Sequence, residues 1–119
     1  MEIKTHEINQ TRIAEVISDE VIIQNAQDGL DLLGNIYYQD FDKIILYEKN
    51  ITPEFFDLKT KIAGDILQKF SNYRVRLAIV GGFEKYTSKS IKEFILESNK
   101  TGHINFIQTL AEALEKLSK

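Results

Sequence analysis

Alternating polar and apolar positions at the start of the chain predict a β-hairpin. Ile3–Ile8 and Arg12–Ile17 are two extended runs on either side of a two-residue polar turn, Asn9-Gln10. Two-residue loops are the commonest connection between paired antiparallel strands. We therefore expect the first two strands to pair directly.

Apolar residues at helical spacing predict two helices in the first half of the chain. Asn25 is a candidate N-cap for the first, which should end before Phe41. Thr52 followed by Pro53 predicts the start of the second, because the first helical position needs no N–H donor. One apolar stripe continues from that start: Phe55, Leu58, Ile62, Ile66 and Phe70.

Short apolar runs predict three further strands. Lys43–Tyr47, Val75–Val80 and Ile104–Ile107 are each four to six residues long, the pattern of strands that are covered on both faces. Each run is followed by a segment that predicts a helix.

The two helices in the second half of the chain are predicted from capping patterns. Ser90 with Glu93, and Thr109 with Glu112, match the capping box, in which a hydroxyl residue precedes Glu by three positions. The predicted order of elements is therefore ββαβαβαβα. Right-handed crossovers would place helices on both faces of a mixed, mostly parallel sheet, so we expect an α/β fold in one domain, 1–119.

Composition excludes several classes of partner and chemistry. The net charge is −3, and Lys and Glu alternate without a basic stripe, so we expect no nucleic-acid partner. The chain has no cysteine, which excludes thiol nucleophiles and Cys-ligated zinc. Its amino terminus lacks the apolar core of a signal peptide, and no apolar run is long enough to span a membrane. A cytoplasmic location without membrane attachment is the expectation.

The predicted topology and three short sequence segments resemble two known protein families. The predicted order, with its terminal Ala-Leu-Glu-Lys-Leu helix, resembles the STAS domain of anti-sigma-factor antagonists and sulfate-transporter tails. Arg12–Val16, Asp57–Thr60 and Asn72–Val75 resemble a small bacterial family, domain of unknown function 4180. The first resemblance implies a STAS-like fold and a regulatory role. No established activity comes with the second family.

The phosphorylation switch of STAS antagonists does not transfer to this chain. That switch uses a serine in an Asp-Ser-Ser-Gly setting, whereas Asp57 is followed here by Leu-Lys-Thr. Thr52 and Thr60 are the nearby hydroxyls, and we keep both as candidate phosphorylation sites. The alternative is structural: Thr52 as a helix cap and Thr60 as a helical surface residue.

The loops after the third and fourth predicted strands are the candidate binding sites, because ligands of α/β sheets collect at the carboxyl ends of strands. The second loop starts with Gly81-Gly82, and paired glycines permit close approach to a backbone. The phosphate-binding motif Gly-x-x-x-x-Gly-Lys-[Ser/Thr] is absent. The alternative is that the glycines and the hydroxyl residues only form an ordinary loop between a strand and a helix. The candidates for binding a small molecule or anion are Glu48, Lys49, Lys85, Ser88 and Lys89.

Neither a metal centre nor a cofactor site is predicted. His6 and His103 lie at opposite ends of the chain, without a partner at ligand spacing. No Gly-x-Ser-x-Gly elbow marks a nucleophilic serine.

Four aromatic residues form a candidate interaction surface. Tyr37, Tyr38, Phe83 and Tyr86 belong either to the core or, if exposed, to a contact patch, because interfaces favour aromatic side chains. The leading hypothesis is a non-enzymatic, STAS-like regulatory or protein-interaction module that binds a partner or itself. The competing hypothesis is a small-molecule or anion-binding protein, or an enzyme, that uses the loops at the carboxyl ends of the strands.

Overall fold

The computed structural model describes residues 1–119 and contains five strands and four helices. Three short 3₁₀ turns lie between the third strand and the second helix. The strands are β1 (Glu2–Ile8), β2 (Thr11–Ile17), β3 (Lys43–Tyr47), β4 (Arg76–Val80) and β5 (Ile104–Ile107). The helices are α1 (Ala26–Tyr38), α2 (Ile62–Asn72), α3 (Lys89–Thr101) and α4 (Leu110–Leu117).

The strands form one sheet in the order β1-β2-β3-β4-β5. β1 is antiparallel to β2, and all other neighbours are parallel, which confirms the predicted mixed α/β class. Asn9 and Gln10 form the hairpin turn with φ values of 52° and 66°. Positive φ at both central residues is the conformation whose twist matches that of the paired strands.

Helices cover both faces of the sheet, but unequally. α1, α2 and α3 pack on one face, where 22 buried residues form the main core. α4 packs on the other face over β4 and β5, where a smaller cluster of six buried residues lies. Leu46 and Ile79, in the two central strands, are completely buried. No helix has the combined length and apolar character that crossing a membrane requires.

The predicted helix start at Thr52 is wrong. Thr52 and Pro53 open a 3₁₀ turn, Pro53–Phe56, which is followed by a second turn, Leu58–Thr60. Lys61 then adopts a left-handed conformation (φ 65°), and α2 begins only at Ile62. Phe55 and Leu58 therefore reach the core from 3₁₀ turns, although their spacing in the sequence is that of an α-helix.

One predicted cap is wrong and another is confirmed. Ser88, not Ser90, caps α3 by accepting a hydrogen bond from the Ile91 N–H at 3.2 Å. Thr109 caps α4 as predicted, because its hydroxyl accepts the Glu112 N–H at 3.1 Å.

Candidate functional site

A polar cluster at the carboxyl ends of β3 and β4 is organised by Glu48. One carboxylate oxygen lies 2.7 Å from Lys85 Nζ and accepts the Tyr86 hydroxyl at 2.7 Å. The other oxygen accepts the Gly82 N–H at 3.2 Å. We call Glu48, Gly82, Lys85 and Tyr86 the Glu48 cluster. Adjacent parallel strands bring together these two loops, which the sequence analysis named as candidate binding sites.

In the Glu48 cluster, hydrogen-bond donors surround the charged carboxylate of Glu48. Burial would raise the pKa of Glu48, but the hydrogen bonds from Lys85, Tyr86 and Gly82 outweigh it and lower that pKa. Burial, together with the bond to the Glu48 carboxylate, raises the pKa of Tyr86. The donors that an incoming anion would need therefore already serve an internal carboxylate.

The other three candidate anion ligands lie apart from this cluster. Lys49 Nζ pairs with Asp19 at 3.2 Å on the surface. Ser88 is the cap of α3, and the exposed Lys89 lies 3.9 Å from Glu93 one turn along that helix. Of the five predicted residues, the structure thus joins only Glu48 and Lys85.

Two of the four candidate interaction aromatics pack against the core. Tyr86 stacks on Phe56 with ring centroids 4.2 Å apart and planes 13° apart. Phe83 meets Phe106 edge-on at 5.1 Å. Both side chains are half-buried, so they line the core beside the Glu48 cluster instead of forming an exposed patch.

The other two aromatics are exposed, and a third joins them. Tyr37 and Tyr38, at the end of α1, are 53% and 90% exposed, and Tyr73, just after α2, is 56% exposed. The Tyr37 and Tyr73 rings meet edge-on at 6.1 Å. We call these three residues the tyrosine surface. Sequence reasoning missed Tyr73, because only the packing of α2 on α1 brings it beside Tyr37. An adjoining pocket of about 250 Å³ is lined by these two tyrosines and by Leu30, Leu33, Gly34 and Lys69.

Both candidate phosphorylation sites use their hydroxyls in local turns. The Thr52 hydroxyl accepts the Glu54 N–H at 3.4 Å. The Thr60 hydroxyl donates to the carbonyls of Glu54 and Asp57 at 2.9 Å each. Each therefore has a structural role, and Thr60 lies in a 3₁₀ turn, not in the helix that the sequence predicted.

A second polar cluster, which the sequence analysis did not identify, lies on the α4 side of the sheet over β1, β2 and β3. Glu15 is only 5% exposed. One of its oxygens lies 2.7 Å from His6 Nε2, and the other accepts the Tyr47 hydroxyl at 2.5 Å. The hairpin register places His6 diagonally across from Glu15 on the same face. The Glu15 carboxylate thus joins three neighbouring strands.

The Glu15–Tyr47 contact shifts the ionisation of both groups. Burial would raise the pKa of Glu15, but hydrogen bonds from Tyr47 and His6 lower it overall. Burial and the adjacent Glu15 charge raise the pKa of Tyr47 to about 12, from an ordinary value of 10.0. Because the folded-state pKa is the higher one, the un-ionised Tyr47 hydroxyl favours the folded state. That contribution is complete below about pH 10 and is lost as the pH rises through about 12.

We expect Tyr47→Phe to lower the free energy of unfolding at neutral pH by about 2 kcal/mol, because a nearly buried carboxylate loses one of its two donors. The variant should also lose a tyrosine ionisation near pH 12. Urea unfolding and ultraviolet titration of tyrosinate measure the two effects. Tyr38→Phe is the matched control, since its side chain is 90% exposed. Equal behaviour of the two variants would contradict the role of Tyr47.

Fold and clusters together define an α/β protein with a five-stranded mixed sheet, two polar clusters that each surround a carboxylate, and an exposed group of tyrosines. The chain belongs to the family described as domain of unknown function (DUF4180), whose sequence profile matches residues 8–117. No curated protein and no solved structure matches it.

Proposed function

We propose that the chain is a non-enzymatic, STAS-like regulatory module that acts by binding another protein or a second copy through the tyrosine surface. The observation that carries this proposal is the edge-on contact between the exposed rings of Tyr37 and Tyr73, with the still more exposed Tyr38 next to Tyr37 at the end of α1. Tyrosine offers a large, rigid contact area with a polar tip, and such residues are enriched at the centres of interfaces. The sheet order, with one antiparallel edge strand, supports the STAS-like part of the proposal.

The small-anion alternative has weaker support. An anion that bound Lys85 and the Gly82 N–H would have to displace the Glu48 carboxylate from both. Repulsion between the two negative charges would oppose that step. We therefore prefer the protein-binding role.

Site-specific photo-crosslinking tests the proposal. A photoreactive benzoyl-phenylalanine is placed at position 38 in cells that naturally produce the chain, and at the exposed position 84 as a control. We expect a discrete adduct from position 38 only, and its loss when Tyr37→Ala and Tyr73→Ala are added. The mass of the adduct distinguishes a second copy from another protein.

Folding of the crosslinking variants is checked independently by circular dichroism, so that lost adducts are not attributed to unfolding. Identical adduct patterns from positions 38 and 84, or an adduct that survives both alanine substitutions, would show that the tyrosine surface is not the contact site.

A further inference from the structure

A cleft of about 410 Å³ lies between α2 and α3, on the face of the sheet that three helices cover. Its apolar lining consists of the half-buried side chains of Leu58, Leu67 and Phe94. α2 packs on α1, whereas α3 packs on β5. The two helices therefore leave an apolar surface between them open to solvent.

Most residues of α3 are exposed or half-exposed. Of its 13 residues only Ile91 and Ser98 are buried, and Leu96 is 57% exposed. A surface helix normally buries a continuous apolar stripe against its own core. In α3 the stripe includes Phe94 and Ile95, which pack against the core but remain half-exposed, and Phe94 also lines the cleft.

Ser98 provides a polar group at the inner wall of the cleft. The residue is 2% exposed and lines the cleft. Its carbonyl accepts hydrogen bonds from the Thr101 hydroxyl at 3.2 Å and from the Gly102 N–H at 2.9 Å. The wall of the cleft that α3 provides therefore combines polar side chains with the apolar side chain of Phe94.

The charge of the cleft has one sign. Among its eight lining residues only Glu93 and Glu97 are charged, and their four-residue spacing places them on one face of α3. Their partners along the helix, Lys89 and Lys100, lie 3.9 and 3.7 Å away in exposed pairs. Exposed pairs of this kind contribute little to stability, so cations from another molecule can replace them.

We propose that the cleft between α2 and α3 binds an amphipathic helical segment of a partner protein, with apolar anchor residues flanked by Lys or Arg. The anchors would cover Leu58, Leu67 and Phe94, while the cations, one helical turn apart, would pair with Glu93 and Glu97. This binding goes beyond the proposed function, because it uses none of the tyrosine surface.

Selection from a library of displayed helical peptides, each about 16 residues or roughly four turns long, tests the proposal. The intact chain is the target, and the variant Glu93→Lys with Glu97→Lys is used for counter-selection. We expect the enriched peptides to carry Leu, Ile or Phe at helical spacing with flanking Lys or Arg. An enriched peptide should bind the double variant about tenfold more weakly, since two ion pairs become repulsive.

A second double variant, Glu84→Lys with Glu115→Lys, makes the same change in net charge outside the cleft and should bind the peptide as the natural chain does. Equal weakening in both double variants would show non-specific charge attraction and overturn the proposal. Enrichment of acidic peptides, or no enrichment over the counter-selected variant, would overturn it too. So would self-association that Glu93→Lys and Glu97→Lys abolish, because it would assign the cleft to a second copy.

Discussion

Asn50→Ala should lower the free energy of unfolding by about 3 kcal/mol, because it removes three hydrogen bonds between a completely buried side chain and the backbone, each of which contributes about 1 kcal/mol. Asn50 is completely buried in the 3₁₀ turn, Glu48–Asn50, that follows β3. Its side-chain amide donates to the carbonyls of Ser18 and Glu20 at 2.8 and 2.9 Å, and its side-chain oxygen accepts the Tyr47 N–H at 3.2 Å. This one side chain therefore holds the loop after β2 against the end of β3.

Asn50→Asp distinguishes the loss of hydrogen bonds from the loss of side-chain volume at position 50, because aspartate has nearly the same size as asparagine. The aspartate keeps the acceptor for the Tyr47 N–H but loses both donors and adds a buried charge, so we expect it to be at least as destabilising as alanine. Asn72→Ala is the control, because Asn72 is exposed at the end of α2 and should change stability by less than about 0.5 kcal/mol. Urea unfolding measures all three variants. A loss below about 1 kcal/mol for Asn50→Ala would contradict this account.

Local signals in the sequence were sufficient for the hairpin and for most element boundaries. A polar pair between two alternating runs predicted the turn at Asn9 and Gln10, and the hydroxyl of Thr109 predicted the start of α4. The error at Thr52 has a physical cause. Apolar spacing reports which side chains reach the core but not whether a helix or successive 3₁₀ turns bring them there. The break occurs at Lys61 in a left-handed conformation, where no glycine marks it.

The candidate sites could be predicted from the sequence only where the position and register of one strand relative to its neighbour could be inferred. Glu48 and Lys85, two of the five candidate ligand residues, lie together because they follow adjacent parallel strands. The diagonal from His6 to Glu15 was readable in principle, since a two-residue hairpin loop determines the register of its strands. Tyr47 was not, because it joins Glu15 through the parallel register of β2 and β3, which no local turn determines.

The close approach of Gly81 to Glu48 leads to the second prediction with a large effect. A β-carbon at position 81 would lie 2.6 Å from both Cβ and Oε1 of Glu48. Glu48 Cβ is attached directly to the backbone, so rotation of the side chain cannot relieve the first overlap. Overpacking of this kind costs about 1–3 kcal/mol. We therefore expect Gly81→Ala to lower the free energy of unfolding by about 2 kcal/mol and to separate the carboxylate from its donors.

Gly82→Ala is the matched control for that substitution, because its added β-carbon would meet nothing within 4 Å. Combining Gly81→Ala with Glu48→Ala should cost less than the sum of the two single changes, since both disrupt the same hydrogen bonds to Lys85 and Tyr86. Urea unfolding of the four proteins in this cycle measures the difference. If the two changes in the free energy of unfolding were strictly additive, Gly81 and Glu48 would act independently. The close packing of the loops after β3 and β4 would then not be the feature that holds the Glu48 carboxylate beside its hydrogen-bond donors.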